Sequence, residues 1–298
     1  MLGKLIKHEW KRVYKIESIL VLVLVAVSLL GAILFHTPMG TAIFSNTNEY
    51  MSDEAVMIMT IWVMTFVTSV MVYIVMVIGV TYGNLIFQGY NFYKTMYTDE
   101  GYLTHTLPVK PHQLLGSKFI VGILWTLIIH IAMFLSIGMM IFSLMLAINP
   151  EMFQSFSTFQ TAVLEELDFV SMTSAELGVM VHMGLVYVAI LIMGPISSIS
   201  MIFGAMTIGQ LVNKHKAIMG IACYFGLTFV NQILATLCQI VGMVGQVGTM
   251  AIAEEDVIVN MHSQIFFSYD LQIIMMLLLS IALYFLSHFI ISKKLNLN

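Results

Sequence analysis

Apolar residues in this chain come in long blocks, not in the short alternation of a half-buried strand or the one-sided stripe of a surface helix. Six blocks stand out, at 19–35, 56–80, 119–148, 179–211, 217–245 and 271–291. A helix needs about 20 apolar residues to cross hydrocarbon roughly 30 Å thick, so each block reads as a span. None of the six contains Asp, Glu, Lys or Arg. Each such charge costs roughly 3 kcal/mol at mid-helix, whereas each Leu, Ile, Val or Phe contributes about −0.3 to −0.6 kcal/mol. The pattern predicts an all-α integral membrane protein with about six transmembrane helices.

The segments between the blocks set the orientation. Lys4, Lys7, Lys11, Arg12 and Lys15 precede the first block, and Lys94, Lys110 and Lys118 lie between the second and third. Lys214 and Lys216 follow the fourth, and Lys293 and Lys294 close the chain, which accounts for all 12 cations. All of them fall on one face, the cytoplasmic one by the positive-inside rule. The opposite face carries Glu49, Asp53, Glu54, Glu151, Glu165, Glu166, Asp168, Glu176, Glu254, Glu255, Asp256 and Asp270. An even number of spans with both termini cytoplasmic is the arrangement that keeps this separation. The net charge of −4 conceals the asymmetry.

Composition agrees: 59% of the 298 residues are hydrophobic and 9% are charged, against roughly 25% charged in a soluble domain. With no internal repeat, low-complexity tract or Pro/Gly/Ser-rich linker, residues 1–298 read as a single transmembrane domain in a multi-pass, cell-membrane protein. Residues 1–16 alternate Leu2, Leu5, Ile6, Trp10, Val13 and Tyr14 with the basic residues at helical spacing. They predict an amphipathic interfacial helix, with Trp10 at headgroup depth, serving as a topology anchor or as a lever on the first span. The apolar run that follows is too long for a cleaved signal and lacks an A-x-A site, so its retention is expected. Extracytoplasmic segments are expected at 149–178 and 246–270. In the first, Phe153, Phe156, Phe159, Val163, Leu164, Leu167 and Val170 suggest a short surface helix. In the second, Gly242, Gly245 and Gly248 permit either a helix that breaks before fully crossing or an ordinary loop.

Few residues inside the blocks carry chemistry. Ion-coupled carriers place charges near the midplane, and these blocks have none. His130 is titratable and well inside a span, either as a packing hydrogen-bonder or as a proton relay, and Asn231 and Gln232 have the same standing. The 26 methionines include Met139-Met140 and Met275-Met276. Thioethers suit Cu(I), but no Met-x-x-x-Met series joins His or Cys into a ligand set, and Met is also an adaptable apolar filler. His105 and His112 lack further zinc ligands. Cys223 and Cys238 share one block without a C-x-x-C spacing. Gly194-Pro195 predicts a kink in the fourth block beside Ser197, Ser198 and Ser200, a moving wall or a fixed packing defect. Motifs of the forms G-x-S-x-G, H-E-x-x-H and G-x-x-x-x-G-K-[ST] do not occur in the chain, which is read as no enzyme itself.

The cytoplasmic loop at 83–118 holds the most specific pattern. Asp99 suits a helix cap, Pro108 and Pro111 stop a short helix, and Tyr102, Leu103 and Leu107 stand as apolar knobs that need a protein partner. The run E-G-Y-L-T-H-T-L-P-V at 100–109 resembles the corresponding loop in permease subunits of bacterial ABC transporters of the second exporter type. The resemblance covers the layout of the whole chain, while its motif covers about ten residues. It implies a coupling helix formed by Glu100, Gly101, Tyr102, Leu103, Thr104, His105, Thr106, Leu107 and Pro108 that seats on a separate ATPase subunit. It also implies ATP and Mg bound by that partner, with no cofactor on this chain. Two ATPase copies and a second permease, identical or homologous, would complete the assembly. Export of a peptide, lipid, drug or polysaccharide follows from the family. The charge-free spans favour amphipathic or hydrophobic cargo among these. The alternatives are a membrane sensor or resistance-module subunit, and an ATP-independent channel or carrier. No reading involves nucleic acid.

Overall fold

The computed structural model describes residues 2–35, 53–98, 100–101, 109–148, 174–212, 214–249 and 257–293. Six long helices account for nearly all of them: α1 Leu2–Phe35, α2 Asp53–Tyr97, α3 Pro111–Ile148, α4 Ser174–Gly209, α5 Lys216–Thr249 and α6 Val257–Lys293. Each holds a stretch long and apolar enough to cross a membrane. Large apolar side chains point outward along all six, Phe134 at 73% and Leu22 at 68% exposure among them. Water would oppose such a surface by about 25 cal/mol per Å², whereas hydrocarbon accepts it. The chain is a multi-pass, all-α integral membrane protein.

Several boundaries differ from the sequence expectations, each for a local reason. The amphipathic segment at 1–16 and the first span form one helix, Leu2–Phe35. Between Gly3 and Gly31 the sequence offers no glycine or proline at which to part them. The loop expected at 83–118 shortens from both sides, because α2 continues to Tyr97 and α3 starts at Pro111. Proline suits that first helical position, where its missing N–H has no intrahelical partner to lose. The Lys110 carbonyl accepts the amides of Gln113 at 2.9 Å and Leu114 at 3.3 Å. Most of the 246–270 segment is helical too, with α5 reaching Thr249 and α6 starting at Val257. The glycines there do not break α5. A Cβ on Gly242 would come within 2.6 Å of the Ser268 Cβ, so this glycine lets α5 and α6 approach closely. Likewise α4 runs on through Pro195, with the Ser198 hydroxyl donating to the Gly194 carbonyl at 2.9 Å. The surface helix expected within 149–178 falls outside the described residues up to 173.

The chain divides into two compact units. One comprises Met1–Val13, Leu85–Leu127 and Phe169–Asn298. Within it α4, α5 and α6 pack pairwise on one another. Its core gathers Phe92, Met96, Leu115, Phe119, Ile199, Phe203 and Ile291. Phe203 stacks on Phe92 with centroids 4.1 Å apart and meets Phe119 edge-on at 5.1 Å. The other unit comprises Tyr14–Asn84 and Ile128–Asp168. Leu24, Val80 and Ile129 form one of its apolar clusters, and Tyr73 with Met140 forms another. Two hydroxyl contacts tie its helices: Tyr73 to Ser136 at 2.7 Å, and Ser143 donating to the Ala32 carbonyl at 2.9 Å. An apolar groove of about 640 Å³ lies along Val27, Gly31, Ile61, Met64, Val72 and Tyr73.

Candidate functional site

Charged side chains gather where α1 starts, α2 ends and α3 starts. Glu9 sits on the side of α1 that also buries Val13, one helical turn further on. Its carboxylate accepts a 2.6 Å hydrogen bond from Lys118 Nζ, and the same ammonium donates to Thr95 Oγ1 at 2.7 Å. All three residues are buried. Taking two opposite charges out of water costs about as much as their attraction returns, unless further hydrogen bonds satisfy them. Thr95 supplies such a bond, and its own hydroxyl donates back to the Asn91 carbonyl at 2.8 Å. A small void bounded by Glu9, Gln88, Asn91 and Lys118 adjoins the pair. The arrangement ties the first turns of α1 to α2 and α3.

One turn along α1, Arg12 points to the loop entrance and pairs with Glu100. Lys94, on the last turn of α2, holds the other oxygen of the same carboxylate at 2.9 Å. The Lys94 hydrogen bond, with Arg12 beside it, holds the Glu100 carboxyl below its ordinary value of 4.5. Both pairs are partly exposed, so they add little stability, but together they orient Glu100. Gly101 follows, buried, with its amide donating to the Thr98 carbonyl at 2.7 Å. A Cβ there would lie 2.5 Å from the Met96 carbonyl carbon, so the turn requires glycine.

Aromatic contacts support the charged groups from beneath. Trp10 stacks on Trp125 at 4.7 Å, so the tryptophan expected at headgroup depth leans on α3. Tyr97, the last residue of α2, shares a 2.8 Å hydrogen bond with Thr207 of α4 and meets Phe92 edge-on at 5.7 Å. The loop entrance is therefore held to α1, α2 and α4 by named contacts.

Of the residues expected to form the coupling helix, Glu100 and Gly101 are described, and both are helical. Tyr102, Leu103, Thr104, His105, Thr106, Leu107 and Pro108 lie outside the described residues. Sequence reasoning passed over Glu9, Arg12, Lys94, Thr95 and Lys118 as site residues. One signal was present for two of them: an acid inside a run of cations, and a lysine at the very edge of an apolar block, each out of place without a partner. His130 lies partly buried on α3, Asn231 partly buried and Gln232 exposed on α5. Cys223 and Cys238 are both free thiols. Among the described residues there is no strand, and no group of three His, Cys, Asp or Glu is placed to hold a metal ion. No family model, curated protein or solved structure matches the chain.

Proposed function

We propose that the chain is the transmembrane subunit of an ATP-driven exporter of the ABC class, coupled to a separate ATPase through the loop between α2 and α3. The observation that carries this reading is the treatment of the loop entrance. A motif resembling the coupling segment of such permeases begins at Glu100, the residue gripped by Arg12 of α1 and Lys94 of α2. A loop serving only to connect α2 to α3 has no need of an entrance fixed by three charged groups and an obligatory glycine. Held in this way, the segment can pass a push from a cytoplasmic partner to the helices on which its entrance rests. ATP and Mg belong to that partner. The cargo is an amphipathic or hydrophobic molecule, in keeping with spans that offer no midplane charge.

The test starts with the tagged chain, extracted gently from its native membrane, and mass spectrometry of every subunit recovered in stoichiometric amount. An ATPase carrying a phosphate-binding loop is the expected companion. Replacing Leu103 and Leu107 by Asp then releases it and abolishes export while the six helices stay folded. Recovery of the chain alone, or flux that survives both substitutions, would turn the reading toward a channel or an ATP-independent carrier.

A further inference from the structure

The outward face of α1 carries a second pattern, independent of the loop. At about 100° per residue, Lys4, Lys7, Lys11 and Lys15 fall within about 80° of the helix circumference, and Glu9 lies roughly opposite the middle of that arc. All four lysines are exposed, whereas Glu9, Val13 and Glu17 on the far side are buried. Two of the acids described at this end are turned elsewhere, Glu9 to Lys118 and Glu100 to Arg12 and Lys94, and a third, Glu17, is buried. None of the four lysines enters an ion pair among the described residues.

What faces the stripe is settled by following the same arc along the helix. Beyond Ser18 it continues through Leu22, Leu29 and Ile33, all exposed, and these belong to the stretch that crosses hydrocarbon. Because α1 is one helix, its lysines continue its lipid-facing side. The hydrocarbon edge falls between Lys15 and Leu22, with exposed Tyr14 at interfacial depth. The headgroup layer is about 5–8 Å deep on each side. Lys15 and Lys11, one turn or about 6 Å apart along the axis, therefore lie among the phosphates. Lys7 and Lys4 follow on toward water, with Lys7 within a Debye length of about 8 Å of the same phosphates.

We propose that the lysine stripe of α1 is a binding site for the phosphate headgroups of anionic phospholipids in the cytoplasmic leaflet. Its chemistry fits a row of singly charged phosphodiesters on a surface: four point-charge donors on flexible stems, with no carboxylate among them to compete. An acidic protein surface shares the charge but not the position, since the stripe runs straight into a lipid-contacting face.

The test uses the full chain in a nonionic detergent, titrated with phosphatidylglycerol or, separately, phosphatidylcholine, and bound lipids are counted by native mass spectrometry. Phosphatidylglycerol is expected to bind about tenfold or more tightly than phosphatidylcholine, with the preference shrinking as salt rises. The quadruple variant K4Q/K7Q/K11Q/K15Q should lose most of that preference while keeping the wild-type melting temperature. K110Q, which removes an exposed lysine outside the stripe, should retain it. Equal binding of the two lipids by the wild type, or an undiminished preference in the quadruple variant, would overturn the proposal. No ATPase enters the assay, so its outcome stands apart from the transport reading.

Discussion

At the scale of single residues, the buried Glu9–Lys118 pair makes the sharpest prediction. Removing one partner strands a charge, which typically costs about 3–5 kcal/mol, whereas replacing both by apolar groups of similar size is often neutral. Lys118→Met and Glu9→Leu should each lower the melting temperature in detergent strongly, and the double variant should recover most of the loss. Additive losses would show that the two side chains act separately. Glu100 predicts a pH dependence. Its carboxyl titrates below its ordinary value in the folded chain, so its contribution is fully present above the unfolded value and is lost as pH falls through the lowered one. Hydrogen exchange at the Gly101 amide, corrected for its intrinsic pH dependence, should accelerate as acidification carries the pH below the ordinary glutamate value and through the lowered one. Glu100→Gln should remove that acid-linked step. Neither pair was legible in the sequence. Glu9 and Lys118 each stand out of place, but they are 109 positions apart, and nothing local to either one names the other as its partner.

At the scale of elements, existence was legible and boundaries were not. The six blocks correspond to six helices because hydrocarbon penalises any unpaired backbone group, so an apolar run of this length has few alternatives to a helix. Helices then outrun their apolar blocks wherever the polar flank also favours helix, as α2 does at 83–97 and α1 does through its basic start. Glycine misleads in the same way, for Gly242 reads as a breaker in one dimension and acts as a contact point in three. Substituting Gly242→Ala should push α5 from α6 and lower thermal stability, since the added carbon meets the Ser268 Cβ at 2.6 Å. Gly226→Ala, on the same helix with nothing within 4 Å, should be neutral or gain up to about 1 kcal/mol from helix propensity. Paired melting curves check both.

At the scale of the whole molecule, the sequence pattern makes a definite prediction of topology: with six spans, all 12 cations fall on one side. Single cysteines placed at Lys4, Lys110 and Lys293 in a background lacking Cys223 and Cys238 should be labelled by an impermeant maleimide only in inverted vesicles. Labelling of any one from the outer side would break the six-span arrangement. The separation of Glu9 from Lys118 has a further consequence, during synthesis. The ribosome delivers the glutamate 109 residues ahead of the lysine, an interval of about 5–20 s at ordinary elongation rates. Until Lys118 follows, the glutamate lacks the ammonium it meets in the folded chain. A chain truncated before its third helix therefore displays, at the membrane surface, a carboxylate that the finished protein conceals.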